Sequence, residues 1–260
     1  MSALARSTLG GGGLTTRWRW IVLALLLALA PVPTVAQDVC RPKEFEGAAY
    51  VVCTVDLRRY QVRTFWKGAD DQVLGSFERL RVATPEGARV AFAMNAGMYH
   101  EDRSPVGLYV ENGREFKKAN TANGPGNFHL KPNGVFYVSG QTAGVSETGR
   151  FLKQKTKADY ATQSGPMLVI DGRIHPKISE NGPSRKIRNG VGVVDRHTAV
   201  FAISEQPVTF GEFARLFKDD LGCANALFLD GSVSSLYAPA LGRAGGLLPL
   251  GPMVAALPRR

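Results

Sequence analysis

The stretch Ala226–Tyr237, ALFLDGSVSSLY, ends a short apolar run in an aspartate, a glycine and three serines. Ala226–Leu229 reads as a buried strand, and Asp230-Gly231 turns the chain where the Asp230 carboxylate faces a cleft, although any turn uses the same pair. Similar polar junctions recur beside other apolar runs. Asn95-Ala96-Gly97 follows one and leads to His100, Glu101 and Asp102; Ser164-Gly165 and Arg188-Asn189 each precede another. Each junction alone is an ordinary loop, but loops meeting at one rim of a sheet are where sites are built. Together they offer a carboxylate for base chemistry or for stabilising a cation, a guanidinium for an anion, and an imidazole for proton transfer. The catalytic candidates are Asp230, Arg188 and His100. The ligand-binding candidates are Asn95, Gly97, Glu101, Ser164, Gly165, Asn189, Gly231 and Ser234, with Asp102 a further proton-transfer partner.

These junctions require many short strands. Ala48–Thr54 and Gln61–Trp66 look like an opening hairpin around Asp56–Tyr60, and Val73–Val82 has helical spacing. Further strands are expected at Val90–Met94, Val106–Glu111, Gly134–Val138, Met167–Ile170, Val191–Val194 and Thr198–Ile203. Several are bounded by turn signals such as Asn112-Gly113 and Asp171-Gly172. Thr209 and Glu212 have capping-box spacing, and Phe213, Leu216, Phe217 and Leu221 form one apolar helical face that stops at Gly222. The pattern is α+β, with mixed, largely antiparallel sheets and a few packed helices in a single domain.

Composition agrees with one globular domain, since 44% of residues are hydrophobic and 21% charged. Residues 1–36 read as a secretory signal peptide, with Arg6, Arg17 and Arg19 before the apolar run Ile21–Ala30 and small residues before Gln37; residues 37–260 form the mature domain. The run is short for a membrane span, so membrane contact is expected only through this segment if it stays uncleaved. The destination is periplasmic or secreted, where Cys40 and Cys53 could pair. Cys223 reads as a small buried residue. The formal charge of +10 falls to +7 without the three leader arginines, and the remaining charges are scattered. Lys153, Lys155 and Lys157 would share a face if extended. No nucleic-acid partner is expected, nor any metal or other cofactor. Ala119–Asn127 could overhang the pocket as a lid or be a surface loop. Phe128 reads as packing, and His175 and His197 as surface residues at hairpin ends.

Asn95–Tyr99 (NAGMY), Gln163–Gly172 (QSGPMLVIDG), Arg188–Val194 (RNGVGVV) and Leu227–Ser235 (LFLDGSVSS) resemble, in this order, motifs of the phosphodiester glycosidase family, with closest similarity to its bacterial DUF2233 branch of exported proteins. The resemblance covers roughly Val90–Tyr237. It aligns the family's Leu-Asp-Gly-Gly-Gly-Ser motif with Leu229–Ser234, so Ser232 and Val233 replace two glycines and put close ligand approach at that loop in question. It implies a phosphorylated glycan or sugar phosphodiester as partner. Cleaving a sugar 1-phosphodiester builds positive charge at the anomeric carbon and releases a phosphate monoester. Asp230 would act as base or stabiliser and Arg188 would hold the phosphate. Asn95 and Ser164 would orient the ligand. The expected activity is an exported hydrolase of envelope or exopolysaccharide metabolism; the alternative is a non-catalytic phosphoglycan-binding module of envelope assembly.

Overall fold

The computed structural model describes residues 39–84, 89–230 and 232–259. The expected signal peptide and Gly231 lie outside these. In chain order the strands are β1 (Cys40–Phe45), β2 (Ala48–Asp56), β3 (Tyr60–Phe65), β4 (Phe92–Asn95), β5 (Tyr109–Glu111), β6 (Arg114–Lys117), β7 (Gly134–Ser139), β8 (Thr142–Glu147) and β9 (Tyr160–Ser164). They continue with β10 (Met167–Ile170), β11 (Arg173–Ile174), β12 (Asn189–Asp195), β13 (Thr198–Ser204), β14 (Asn225–Phe228), β15 (Leu236–Ala238), β16 (Arg243–Ala244) and β17 (Met253–Pro258). Short helices span Phe77–Ala83 (α1), Thr148–Gln154 (α2) and Phe210–Arg215 (α3).

Three antiparallel sheets result. The first has the order β1-β2-β13-β12-β14-β10-β11, the second β16-β15-β4-β17-β3 and the third β6-β5-β9-β7-β8. The expected α+β class with largely antiparallel sheets is what the chain adopts. The sheets share a buried cluster, and Phe201 of β13 joins them: its ring lies 5.1 Å from Phe92 of β4 and 5.5 Å, edge-on, from Phe136 of β7. On the other face of the first sheet, Phe213 of α3 and the following Leu216 and Phe217 pack against Val52, Val200 and Phe228.

The sequence expectations for local structure divide by how local their causes are. Thr209 caps α3 through a complete capping box, its Oγ1 accepting from Glu212 N while Glu212 accepts from Thr209 N. The chain then widens into a π-turn over Leu216–Asp220, which keeps both Leu216 and Phe217 buried, before Gly222 leaves the helix at φ 65°. Asn112-Gly113 and Asp171-Gly172 are tight hairpin turns, both residues of each in the left-handed region.

The expected opening hairpin is corrected. β2 pairs with β1 and β13, whereas β3 pairs with β17 near the carboxyl terminus, so the segment between β2 and β3 carries the chain from one sheet to another. The first hairpin instead turns at Glu46-Gly47, with φ of 48° and 73°. Cys40 and Cys53 face each other in its register and form a disulfide. Helical spacing from Val73 is also corrected. Gly75 turns the chain at φ 68°, and α1 begins only after Ser76, whose Oγ caps Arg79 N. The lysines expected to alternate are divided, Lys153 in α2 and Lys155 capping it in the left-handed region. His175 is not a surface residue but 1% exposed, its Nδ1 accepting from Lys177 N, and desolvation holds the ring below its usual pKa. Cys223 is buried and free, and burial pushes its thiol up to about 12, in keeping with a packing role.

Candidate functional site

β4 and β14 end where β12 begins, and side chains of Asn95, Ser164, Asn189 and Ser234 lock these termini together. Asn189, at the start of β12, donates from Nδ2 to both Asn95 O and Asn95 Oδ1 at 3.0 Å, and its Oδ1 accepts from Asp230 N at 3.1 Å. Asn95 Oδ1 accepts in addition from Ser235 N at 2.8 Å. Ser164, closing β9, donates its hydroxyl to Leu229 O. Ser234 Oγ lies 2.8 Å from Asp230 O and 3.1 Å from Ile187 O, tying the loop after β14 to the approach to β12. Asn95, Ser164 and Asn189 are fully buried. The Asn189 amide, engaged at both ends, fixes this geometry, because leaving either end unpaired costs about 1–3 kcal/mol, whereas Asn95 is held through its oxygens and its Nδ2 is buried with no hydrogen-bond partner among the described residues.

Above this platform lies a cavity of about 780 Å³ lined by Asp230, Arg188, Ser234 and Lys186, among others. The Asp230 carboxylate is oriented by Ser232 N, which donates to Oδ1 at 2.9 Å. Arg188 is 1% exposed, its guanidinium 3.6 Å over the Phe210 ring. Nε donates to Val208 O at 2.9 Å and Nη2 to Ser184 O at 2.8 Å. One edge of the fork is therefore spent on backbone carbonyls, and Nη1 has no hydrogen-bond partner among the described residues. Among the described residues no carboxylate pairs with Arg188 or Lys186. Desolvation lowers Arg188 to about 10, still cationic at neutral pH. Tyr99 borders this region, its hydroxyl donating to Pro249 O at 3.2 Å; burial first, and then the Asp230 charge, raises its pKa.

The structure thus brings Asp230, Arg188 and Ser234 to the cavity wall and places Asn95, Asn189 and Ser164 in the supports. Gly97 and Gly165 are close-packing positions rather than lining ones: a Cβ at Gly97 would meet Gln163 O at 2.3 Å, and one at Gly165 would meet Phe128 O at 2.8 Å. His100 and Glu101 do not line the cavity. They lie with Asp102 on an exposed turn closed by His100 N donating to Ser104 O, and Asp102 caps Ser104. Gly126 and Asn127, at the end of the suspected lid, do line the cavity, and Phe128 behind them is buried.

Sequence reasoning missed Lys186, Leu247 and Leu248, which also line it. Lys186 lies two positions before Arg188, a spacing that puts alternate residues of an extended segment on one side. The leucines stand in a Gly/Pro-rich segment, GGLLPLGP, where an apolar pair has no strand or helix to bury it. Among the described residues no group of three or more His, Cys, Asp or Glu side chains could hold a metal ion.

The chain also resembles known proteins. The profile described as phosphodiester glycosidase matches residues 88–245. The uncharacterized protein YigE of Escherichia coli K12 is 37% identical over 243 residues, covering 93% of this chain and 91% of its own. Two solved structures share the fold. The catalytic domain of zebrafish N-acetylglucosamine-1-phosphodiester alpha-N-acetylglucosaminidase, auto-inhibited by its pro-peptide, has a TM-score of 0.58 at 13% identity, over 85% of this chain and 82% of that one. A hypothetical protein from Synechocystis has a TM-score of 0.53 at 14% identity; 85% of this chain is covered, but only 61% of the Synechocystis chain.

Proposed function

The chain belongs to the phosphodiester glycosidase family, and from that premise we propose that it hydrolyses a sugar 1-phosphodiester at the Asp230–Arg188 cavity. The observation that carries the reading is one oriented carboxylate sharing a cavity with two cations that no carboxylate among the described residues neutralises. Water adds its oxygen to the anomeric carbon while the bond from that carbon to the phosphate oxygen breaks. The bonding electrons leave with the phosphate monoester, and the water gives up a proton. Asp230 takes that proton or opposes the positive charge at the anomeric carbon. Arg188 offers its Nη1 N–H groups to the phosphate, and Lys186 adds a second positive charge. A phosphate monoester is a stable leaving group, so a strong general acid is unnecessary. This fits the placement of His100 and Glu101 outside the cavity.

The proposed setting is extracytoplasmic. A Cys40–Cys53 disulfide favours an oxidising compartment, and no helix among the described residues is long and apolar enough to cross a membrane. A second reading, a non-catalytic phosphoglycan-binding module, is favoured by one observation: Asp230 is the single carboxylate among the residues described around the cavity, where most glycosidases use two. Wild type and Asp230→Asn, incubated with a panel of sugar 1-phosphodiesters, separate the two. Hydrolysis should release free sugar and phosphate monoester, and D230N should turn over about a hundredfold to ten-thousandfold more slowly with the ligand still bound. Equal product from both proteins removes Asp230 from the mechanism. Binding without turnover by wild type across the panel supports the module.

A further inference from the structure

The cavity that holds the two cations also has an apolar end. Leu247 is 103% exposed and Leu248 60%, and both line this cavity together with Val233 and Met98. The other large exposed apolar side chains among the described residues, such as Val82, Phe116 and Val194, have no second one beside them in the sequence. Isolated exposed leucines are unremarkable, but an adjacent pair in a binding cavity is not. Their backbone is tethered on both sides. Gly246 N donates to Ser235 Oγ at 2.7 Å, Pro249 O accepts from Tyr99, and Leu250 N donates to Gly75 O at 2.8 Å. A Cβ at Gly245 would meet the Phe77 ring at 2.5 Å, so the chain is pressed against α1 just before the leucines emerge. The segment is anchored and presents its leucines toward the ligand space.

We propose that the ester on the far side of the phosphate is a hydrocarbon alcohol, so that the substrate class is a lipid-linked sugar phosphodiester, a proposal that rests on the reading of the cavity given above. The sugar meets Asp230, the phosphate meets Arg188 and Lys186, and the alkyl chain covers Leu247 and Leu248. Among the lining residues the charged side chains are Lys186, Arg188 and Asp230, and the large apolar side chains that are exposed are Leu247 and Leu248. A second sugar on that side would set its hydroxyls against two apolar side chains.

Alkyl monophosphates of increasing length, methyl, butyl and octyl, mimic the released product and serve as probes below their micelle concentrations. Calorimetric titration of the protein purified after export should show affinity rising about twofold to fourfold for each methylene that reaches the leucines. Leu247→Ser with Leu248→Ser should flatten that rise, and Val194→Ser, a single exposed apolar side chain elsewhere, should keep it. Methyl phosphate binding with no dependence on chain length overturns the lipid assignment and leaves the phosphodiester reading standing. A rise that survives the double serine variant overturns it as well. Neutral alkanols binding as tightly as the phosphates, or no binding by any phosphate, overturns both readings.

Discussion

Replacing Asn189 by aspartate would test the platform with a change of one group. The variant N189D keeps shape and keeps the acceptor that Asp230 N uses, but it sets an oxygen where Nδ2 now donates to Asn95 O and Oδ1 at 3.0 Å. The ionised side chain would lose two hydrogen bonds, about 0.5–1.5 kcal/mol each, and bury a charge at a fully buried position. The variant can escape by protonating the new carboxyl. At pH 7 that costs about 1.36 kcal/mol per unit over the roughly three units above an ordinary aspartate pKa, near 4 kcal/mol. The smaller route sets the outcome, so a loss of about 4 kcal/mol is expected at neutral pH. The sign follows from linkage: the folded-state pKa of the new carboxyl is raised above its unfolded value, so the protonation cost is absent well below about pH 4, leaving only the one hydrogen bond a neutral carboxyl cannot replace, and grows as pH rises toward the folded value. Urea denaturation of wild type and variant at pH 4 and pH 7.5, read by circular dichroism, should show the difference shrinking to about 1 kcal/mol at the lower pH. Equal midpoints at pH 7.5, or the same deficit at both pH values, would refute the assignment of Nδ2 as a buried donor.

Arg188→Lys should cost about 1–3 kcal/mol, because one ammonium cannot reproduce the separate bonds to Val208 O and Ser184 O, and it should weaken methyl phosphate binding; denaturation and calorimetry read the two effects. Removing the disulfide as Cys40→Ala with Cys53→Ala should lower stability by up to about 3 kcal/mol, the value for a loop of this length, measured by urea midpoint against the oxidised protein. His175 is held below its usual pKa chiefly by desolvation, so the unfolded chain protonates first as pH falls. Its contribution is fully present above about pH 6.5 and declines below that, and His175→Asn should reduce the loss of stability between pH 7 and pH 5 relative to wild type.

What could be read from the chain depended on how far apart the cooperating residues are. The capping box at Thr209 and the turns at Asn112-Gly113 and Asp171-Gly172 are set by neighbours within three residues, and they appear where expected. The β2–β3 junction reads as a hairpin because the strands flank a short turn, yet β3 pairs with a strand some 190 residues later in the sequence, Tyr60 facing Pro258. No local signal announces such a partner. The same holds at the site. Asp230, Arg188 and Ser234 were legible because polar residues at the ends of apolar strands have few structural uses. Asn95 and Asn189 were legible as polar positions, but their bonding to each other spans 94 residues and only the assembled sheet reveals it. His100 and Glu101 carried the right chemistry on the wrong side of a turn, since a hydrogen-bonded reversal at Ser104 exposes them.

The loop after β14, where the family resemblance sets Ser232 and Val233 against two glycines, keeps the Asp230 carboxylate oriented. The bond that orients Asp230 comes from the Ser232 backbone N–H, which a side chain at that position does not remove. Val233 is half-buried and packs against the cluster containing Leu74, Phe77 and Met253, so its side chain fastens the loop to α1 and the second sheet while another part of it borders the cavity. Ser234 and Ser235 then tie the loop back to β12, β4 and Gly246. A glycine loop achieves close approach by having no side chains; this loop holds its carboxylate by anchoring on both flanks. Val233, moreover, adds apolar surface to the wall that leads to Leu247 and Leu248. Of the two positions where the resemblance finds a departure, Ser232 stays with the carboxylate through its N–H and Val233 supplies apolar surface to the same cavity, beside the residues Asp230, Ser234 and Arg188 that the resemblance aligns with the family motifs.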